Sequence, residues 1–174
     1  VVAFFPGGCS DTARTVVNIV PQPTANFTFS PTVGCSALNN VLFTDVSTGA
    51  VNYNWAFGNG NTSTSSTPPL QNYLSIGNYV ASLTVTAANT CVHTKTTGIT
   101  VYQPPLAAFS PTNVCLNSSV TFTDNSTAVA TNTIVNWNWN FGDGSLNSLL
   151  QNPVHTYTAA GTYTVKLVVS SVFC

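Results

Sequence analysis

The sequence Trp139-Asn140-Phe141-Gly142-Asp143-Gly144 places two aromatic residues at alternate positions directly before a glycine-rich turn. Alternation with a period of two is typical of a β-strand that buries one face, and Gly-Asp-Gly is a turn signal. A second copy of the pattern occurs at Trp55–Gly60, with Asn59 in place of the aspartate. The segment therefore predicts a buried strand and a tight turn that occur twice in the chain.

Further segments recur at a period of about 82 to 84 residues, the mark of an internal repeat. Val41–Asp45 corresponds to Val120–Asp124, and Gly77–Val85 corresponds to Gly161–Val169. Thr15–Pro23 corresponds to the end of a repeat and predicts a strand there. The period divides the chain into the terminal strand of a preceding repeat, a complete repeat, and a repeat that lacks its last strand, at residues 1–22, 23–104 and 105–174.

The composition favours an all-β protein and excludes several functional classes. Charged residues make up 4% of the 174-residue chain, the net charge is -1, and apolar residues make up 44%. A basic nucleic-acid-binding face cannot be built from Arg14, Lys95 and Lys166 alone, and disorder requires the opposite composition. No apolar run approaches the roughly 18 residues of a membrane span. No leading signal peptide is seen, which predicts a mature product or an internal slice of a longer chain.

The five cysteines follow the same period. Cys9, Cys91 and Cys174 form one series, and Cys35 and Cys115 form another. One bridge per repeat, Cys35 to Cys91 and Cys115 to Cys174, is the predicted pairing, with buried free thiols as the alternative. Cys9 then has no partner within the segment, and its partner is expected in a preceding repeat or another chain. Such bridges predict an oxidising, extracellular location.

Three segments in order resemble the polycystic kidney disease (PKD) domain: Trp139–Gly144, Asn152–Tyr157 and Gly161–Val169. The resemblance implies tandem antiparallel β-sandwiches of immunoglobulin-like type. The first repeat departs from the pattern, with Gln71-Asn72-Tyr73 in place of His-Thr-Tyr. Cysteine-containing PKD repeats are similar to those of very large surface proteins of gliding and adhesive bacteria, and PKD modules also serve as spacers in secreted hydrolases.

The candidate ligand-binding residues are few. Trp55 and Trp139 lie on the inward phase of their strands and are predicted core residues, whereas Trp137, near a strand end, is either core or a partly exposed carbohydrate-stacking residue. Asp143, on a tight turn, either coordinates calcium or accepts hydrogen bonds from its own backbone. Asp45 and Asp124 have the same two interpretations. With no glutamate and four aspartates, no other metal or cofactor is expected.

The sequence predicts a protein that is not an enzyme. His155 matches a structural position of the PKD pattern, and His93 is expected on a solvated turn. No Gly-x-Ser-x-Gly motif or pair of neighbouring acids supports catalysis.

Several sequence matches predict glycosylation. Thr12, in Asp-Thr-Ala, resembles a bacterial O-glycosylation signal. Four asparagines fit the N-glycosylation pattern: Asn26, Asn61, Asn117 and Asn125.

The leading functional hypothesis is a non-catalytic repeat segment of a large extracellular adhesin or motility filament, acting as a stiff stalk or a multivalent binding surface. Its partners would be other repeats of the same or a neighbouring chain, and surface glycans. One alternative is the subunit of a donor-strand filament, in which residues 1–22 of one copy complete the open sandwich of residues 105–174 in the next. Another is a spacer or carbohydrate-binding accessory module of a secreted hydrolase.

Overall fold

A computed structural model describes residues 2–4 and 10–174, and these residues form strands and loops with no helix. The architecture is all-β, as predicted. The first two strands, β1 (Val2–Phe4) and β2 (Ser10–Thr12), pair as an antiparallel hairpin ahead of the two repeats.

The first repeat is a two-layer sandwich of eight strands. One layer has the strand order β3-β5-β8, and the other has the order β4-β10-β9-β6-β7. All pairs are antiparallel except β4 with β10, which is parallel. The bounds are β3 Phe27–Ser30, β4 Gly34–Cys35, β5 Leu38–Asp45, β6 Asn52–Ala56, β7 Thr62–Ser63, β8 Gln71–Tyr73, β9 Gly77–Thr86 and β10 Val92–Tyr102.

The core of the first repeat surrounds Trp55, which is fully buried. Its ring meets Phe27 and Phe43 of the opposite layer edge-on, at centroid distances of 5.3 and 5.9 Å. Such T-shaped contacts add to the hydrophobic gain of burying the rings. The last strand, β10, closes the core with Ile99 and Val101, both nearly inaccessible to solvent.

The second repeat forms the same framework with fewer paired strands. One sheet has the order β11-β12-β14, and β13 pairs with β15. Trp139 is fully buried and meets Phe109 edge-on at 5.0 Å. Phe109 and Val165 are only partly buried, because no strand of the described residues occupies the place that β10 takes in the first repeat. The bounds are β11 Phe109–Pro111, β12 Ser119–Asp124, β13 Ile134–Asn140, β14 Val154–Thr156 and β15 Lys166–Ser171.

The hairpin of β1 and β2 has the register of the first repeat's last hairpin. Val2 lies opposite Thr12, and 82 residues further along the chain Thr84 of β9 lies opposite Thr94 of β10. This is the pairing expected if residues 1–22 correspond to the end of a repeat, although the boundary itself stays a prediction.

The strand predicted over Thr15–Pro23 is wrong. Residues 13–23 form no strand, and their side chains are exposed from Val16 to Val20. A lone strand is not stable in water, and the described residues offer this segment no pairing partner.

Two glycines adopt a left-handed conformation beside neighbouring backbone. Gly58 has φ +78°, and a Cβ built there would lie 2.6 Å from the carbonyl oxygen of Val80. Gly142 repeats this arrangement against Thr164 with φ +80°. Only glycine tolerates both the positive φ and the close approach.

We expect Gly58→Ala to lower the free energy of unfolding of the first repeat by about 2 kcal/mol or more, because strain and overlap with backbone add together. Gly60→Ala is the matched control, since Gly60 also has positive φ but no atom within 4 Å of the added methyl group. Its expected cost is about 1 kcal/mol. Urea denaturation measures both variants, and equal losses would contradict the close-approach argument.

Candidate functional site: the junction between the repeats

The two cysteine series lie at opposite ends of each sandwich. Cys91 precedes β10, whereas Cys35 pairs with Tyr102 at the far end of that strand. An 11-residue strand spans roughly 35 Å at about 3.3 Å per residue. A disulfide requires Cα atoms within about 7 Å. The predicted pairing of Cys35 with Cys91 is therefore wrong.

The predicted pairing of Cys115 with Cys174 is also wrong, for the same reason. Cys115 lies near Gly161 and Tyr163, before β15, and Cys174 follows the end of that strand. The structure instead joins Cys35 to Cys174, with a Cα–Cα distance of 5.6 Å and a sequence separation of 139 residues. The one bridge among the described residues thus connects the two repeats. Cys9 lies outside the described residues.

Packing beside the bridge joins the end of the first repeat to the second. The ring of Tyr102, the last residue of β10, stacks on the ring of Phe173 at a centroid distance of 4.2 Å and an angle of 17°. The stack and the disulfide lie on neighbouring residues of both partners. Together they fix two adjacent points of the junction.

Asn132 ties the same junction together with hydrogen bonds. The side chain is completely buried, donates to the carbonyl oxygen of Gln103 at 3.0 Å and accepts from the backbone N–H of Phe173 at 2.9 Å. A buried amide with partners on both segments is costly to separate, because its polar atoms would lose these bonds. Asn132 therefore holds the linker between the repeats against the turn that carries Cys174.

Sequence reasoning did not identify Asn132, Tyr102 or Phe173. One signal was present: Trp139 follows Asp124 by 15 residues, whereas Trp55 follows Asp45 by 10. The extra residues form the loop that carries Asn132. A length difference between equivalent loops therefore marked the contact region.

The turn aspartate Asp143 forms a polar cluster with His155. His155 Nε2 and Asp143 Oδ2 are 2.7 Å apart, and Asp143 Oδ1 accepts from the backbone N–H and the hydroxyl of Ser145 at 3.1 and 2.6 Å. The imidazole ring also stacks on Phe141 at 4.1 Å. The hydrogen bonds from Ser145 and then from His155 lower the pKa of Asp143 to about 2.

The first repeat has an uncharged version of this cluster. Asn59 Nδ2 donates to Gln71 Oε1 at 3.3 Å, at the positions equivalent to Asp143 and His155. The pair therefore connects the same turn and strand in both repeats, with and without charge. This equivalence supports the interpretation of Asp143 as a structural turn residue. Both of its carboxylate oxygens are occupied by protein donors.

Asp124 and Trp137 form a second polar contact. The Trp137 indole N–H donates to Asp124 Oδ2 at 2.7 Å, and Asp124 Oδ1 accepts from the Ser126 backbone at 3.0 Å. Burial raises the pKa of Asp124, but the bonds from Ser126, Trp137 and Gln151 outweigh it and lower the pKa overall. Asp45 accepts from the Ser47 backbone in the same way. Both aspartates therefore bond their own turns.

The aromatic and histidine predictions have different outcomes. Trp55 and Trp139 are core residues, as predicted, and each indole N–H donates to a backbone carbonyl. Trp137 is partly buried against the core. The prediction for His93 is wrong: it lies within β10, partly buried, and its Nδ1 accepts from the backbone N–H of Ala25 at 2.9 Å.

The structure shows no clustered chemistry in the part of the chain that it describes. No group of three or more His, Cys, Asp or Glu side chains converges there. Calcium binding at Asp143 stays a prediction. Thr12 and the four predicted N-glycosylation asparagines are exposed, and their glycosylation is likewise untested. No helix in the described residues is long and apolar enough to cross a bilayer.

The fold and junction define a protein built from tandem immunoglobulin-like β-sandwiches. The model of the PKD domain family matches residues 18–101 and 102–172. The chain belongs to the PKD domain family, whose members are generally non-catalytic modules.

Solved structures agree with this assignment. The PKD1 domain of the Vibrio cholerae metalloprotease PrtV is 30% identical, covering 47% of this chain and 98% of its own, with a TM-score of 0.40. The PKD1 domain of Vibrio anguillarum Epp is 31% identical over 48% and 98%, with the same TM-score. A carbohydrate-binding module of the β-sandwich superfamily is 20% identical over 87% and 85%, with a TM-score of 0.44.

We expect the second repeat to lose stability in acid before the first. A lowered folded-state pKa stabilises above the unfolded value and is lost as the pH falls through the folded one. For Asp143 this interval runs from about 4 to about 2, whereas Asn59 does not titrate. Hydrogen exchange of β12 and β14 should rise over this interval more than exchange of β5 and β8, and Asp143→Asn should flatten the rise. Equal acid responses in the two repeats would contradict this.

Proposed function

We propose that this chain is a non-catalytic segment of an extracellular adhesin or filament, in which bridged PKD repeats form a stiff stalk. The observation that carries the proposal is the Cys35–Cys174 bridge, because it joins two repeats rather than stapling one. Adjacent domains usually move relative to one another unless their interface is large. A covalent bond beside a stacked aromatic pair and a buried amide opposes such motion.

The bridge also protects the junction against opening. In the chain-entropy model, closing a loop of 139 residues restricts the unfolded chain by about 5 kcal/mol. The exposed linker between repeats would otherwise be the usual site of proteolysis and bending. An oxidised junction of this kind suits a secreted or cell-surface protein, since disulfides are rare in reducing compartments.

The scarcity of charge supports a role in close contacts between copies or with glycans. Charged residues make up 4% of the chain and its net charge is -1. With little self-repulsion, the polar outer faces of neighbouring stalks can approach each other. Repeats in series would also present many weak contacts, whose combined avidity exceeds the affinity of any one of them.

The stalk proposal predicts a rigid relative orientation of the repeats. Small-angle X-ray scattering of the oxidised chain should give one narrow distribution of inter-repeat distances. Cys174→Ser removes the bridge and should broaden that distribution and raise the radius of gyration. Cys115→Ser is the matched control, because it removes an exposed thiol outside the bridge, and it should change nothing. A broad distribution in the oxidised chain would contradict the proposal.

A donor-strand filament is the second candidate, and the open edge of the second repeat favours it. Phe109, Phe122 and Val165 line a groove there, and β10 fills the equivalent groove in the first repeat. Val17 and Ile19, 73% and 89% exposed, repeat the alternation of Ile99 and Val101. Residues 13–22 of another copy could therefore enter the groove.

Sedimentation of the chain with blocked thiols distinguishes this candidate from the stalk. Donor-strand exchange predicts association that increases with concentration and is lost in Ile19→Asp, because a buried carboxylate would be unpaired. A chain that stays monomeric at all concentrations would contradict the filament. The hydrolase-accessory alternative has less support, since all three tryptophans are wholly or partly buried and donate hydrogen bonds within the protein.

A further inference from the structure

The inter-repeat bridge, combined with the repeat period, accounts for the two remaining described thiols. Cys35 belongs to the first repeat and Cys174 to the second. Cys115 occupies the position of Cys35 in the second repeat, within the shared pattern Pro-Thr-x-x-Cys at residues 31–35 and 111–115. Cys91 occupies the position of Cys174 in the first repeat. Each thiol is thus one half of the bridge that the structure shows once.

Both half-sites lie at the outer ends of the two-repeat unit. Cys115 is exposed and lies at the end of the second repeat that corresponds to the Cys35 end of the first. Cys91, partly exposed, lies at the opposite end of the first repeat, before β10. Neither thiol can reach a partner within its own sandwich, because the length of a strand separates the two ends.

The Cys91 end already shows junction contacts like those beside Cys174. Asn89 Nδ2 donates to the carbonyl oxygen of Pro21 at 3.2 Å, and its Oδ1 accepts from the Cys91 backbone at 3.0 Å. Pro21 lies 82 residues before Gln103, whose carbonyl oxygen accepts from Asn132. In both places an asparagine amide joins the preceding linker to the turn that carries the cysteine. The two asparagines come from different loops, so the shared geometry is an independent sign of a repeated junction.

We propose that the Cys35–Cys174 bridge is one link in a series, and that Cys115 forms the next link with the Cys174-type cysteine of a following PKD repeat. By the same rule, Cys91 bonds the Cys35-type cysteine of a preceding repeat. This inference deepens the stalk proposal and depends on it. Each link removes two protons and two electrons from a pair of thiols, and oxidised glutathione accepts them by thiol–disulfide exchange to give two glutathione thiols.

The last strand of a repeat belongs to the receiving half-site. In the first repeat, β10 pairs with β4 and places the Tyr102 carbonyl oxygen 2.9 Å from the backbone N–H of Ser36, next to Cys35. In the second repeat, residues 114–115 form no strand and no β10 equivalent is paired with them. A following repeat would therefore bring both the closing strand and the partner cysteine.

An extended chain tests the series directly. Residues 92–174 are repeated after Cys174, which supplies the missing strand and a third repeat whose junction sequence is that of the second. The appended copy of Cys115 is replaced by serine, so that only one Cys115 remains. The chain is refolded in a glutathione redox buffer, alkylated, and mapped by non-reducing peptide mass spectrometry.

We expect a peptide that joins Cys115 to the appended copy of Cys174, together with loss of Cys115 alkylation. Cys91 is the internal control and should stay alkylated, since its partner repeat would precede it. Cys115→Ser in the original position should leave the appended Cys174 alkylated and the Cys35–Cys174 peptide intact. An alkylated Cys115 beside an intact Cys35–Cys174 peptide would overturn the series but not the stalk. Absence of the Cys35–Cys174 peptide itself would overturn both.

Discussion

The length of one strand decides how the repeats are connected. β10 runs the full height of the first sandwich from Val92 to Tyr102, so the two cysteines that flank its ends face opposite neighbours. A disulfide cannot span that distance. The cysteine at the end of one repeat must therefore bond a cysteine of the next, and the bridge becomes a connector between domains.

The junction combines three kinds of contact that fail in different ways. The disulfide depends on oxidation, the stack of Tyr102 on Phe173 depends on apolar burial, and the Asn132 bonds depend on excluding water. A buried amide with satisfied partners also specifies one arrangement, because any slip would leave its polar atoms unpaired. This supports a junction with a defined angle.

The sequence predicts the sandwich architecture better than the connections. Trp55, Trp139 and the glycine turns recur with the repeat, and local alternation indicates their burial. The bridge could not be predicted in this way, because the cysteine period is equally compatible with bonds within a repeat and bonds between repeats. Asn132 lies in a loop without a counterpart in the first repeat, and His93 is held by a backbone group 68 residues away. Contacts of this kind depend on tertiary geometry that no local pattern records.

A disulfide map of the native, fully oxidised 174-residue chain tests the central claim most directly. Proteolysis without reduction, followed by mass spectrometry, should yield a peptide pair linked through Cys35 and Cys174. A pair linked through Cys35 and Cys91 would contradict the account, because it would require the two ends of one sandwich to meet.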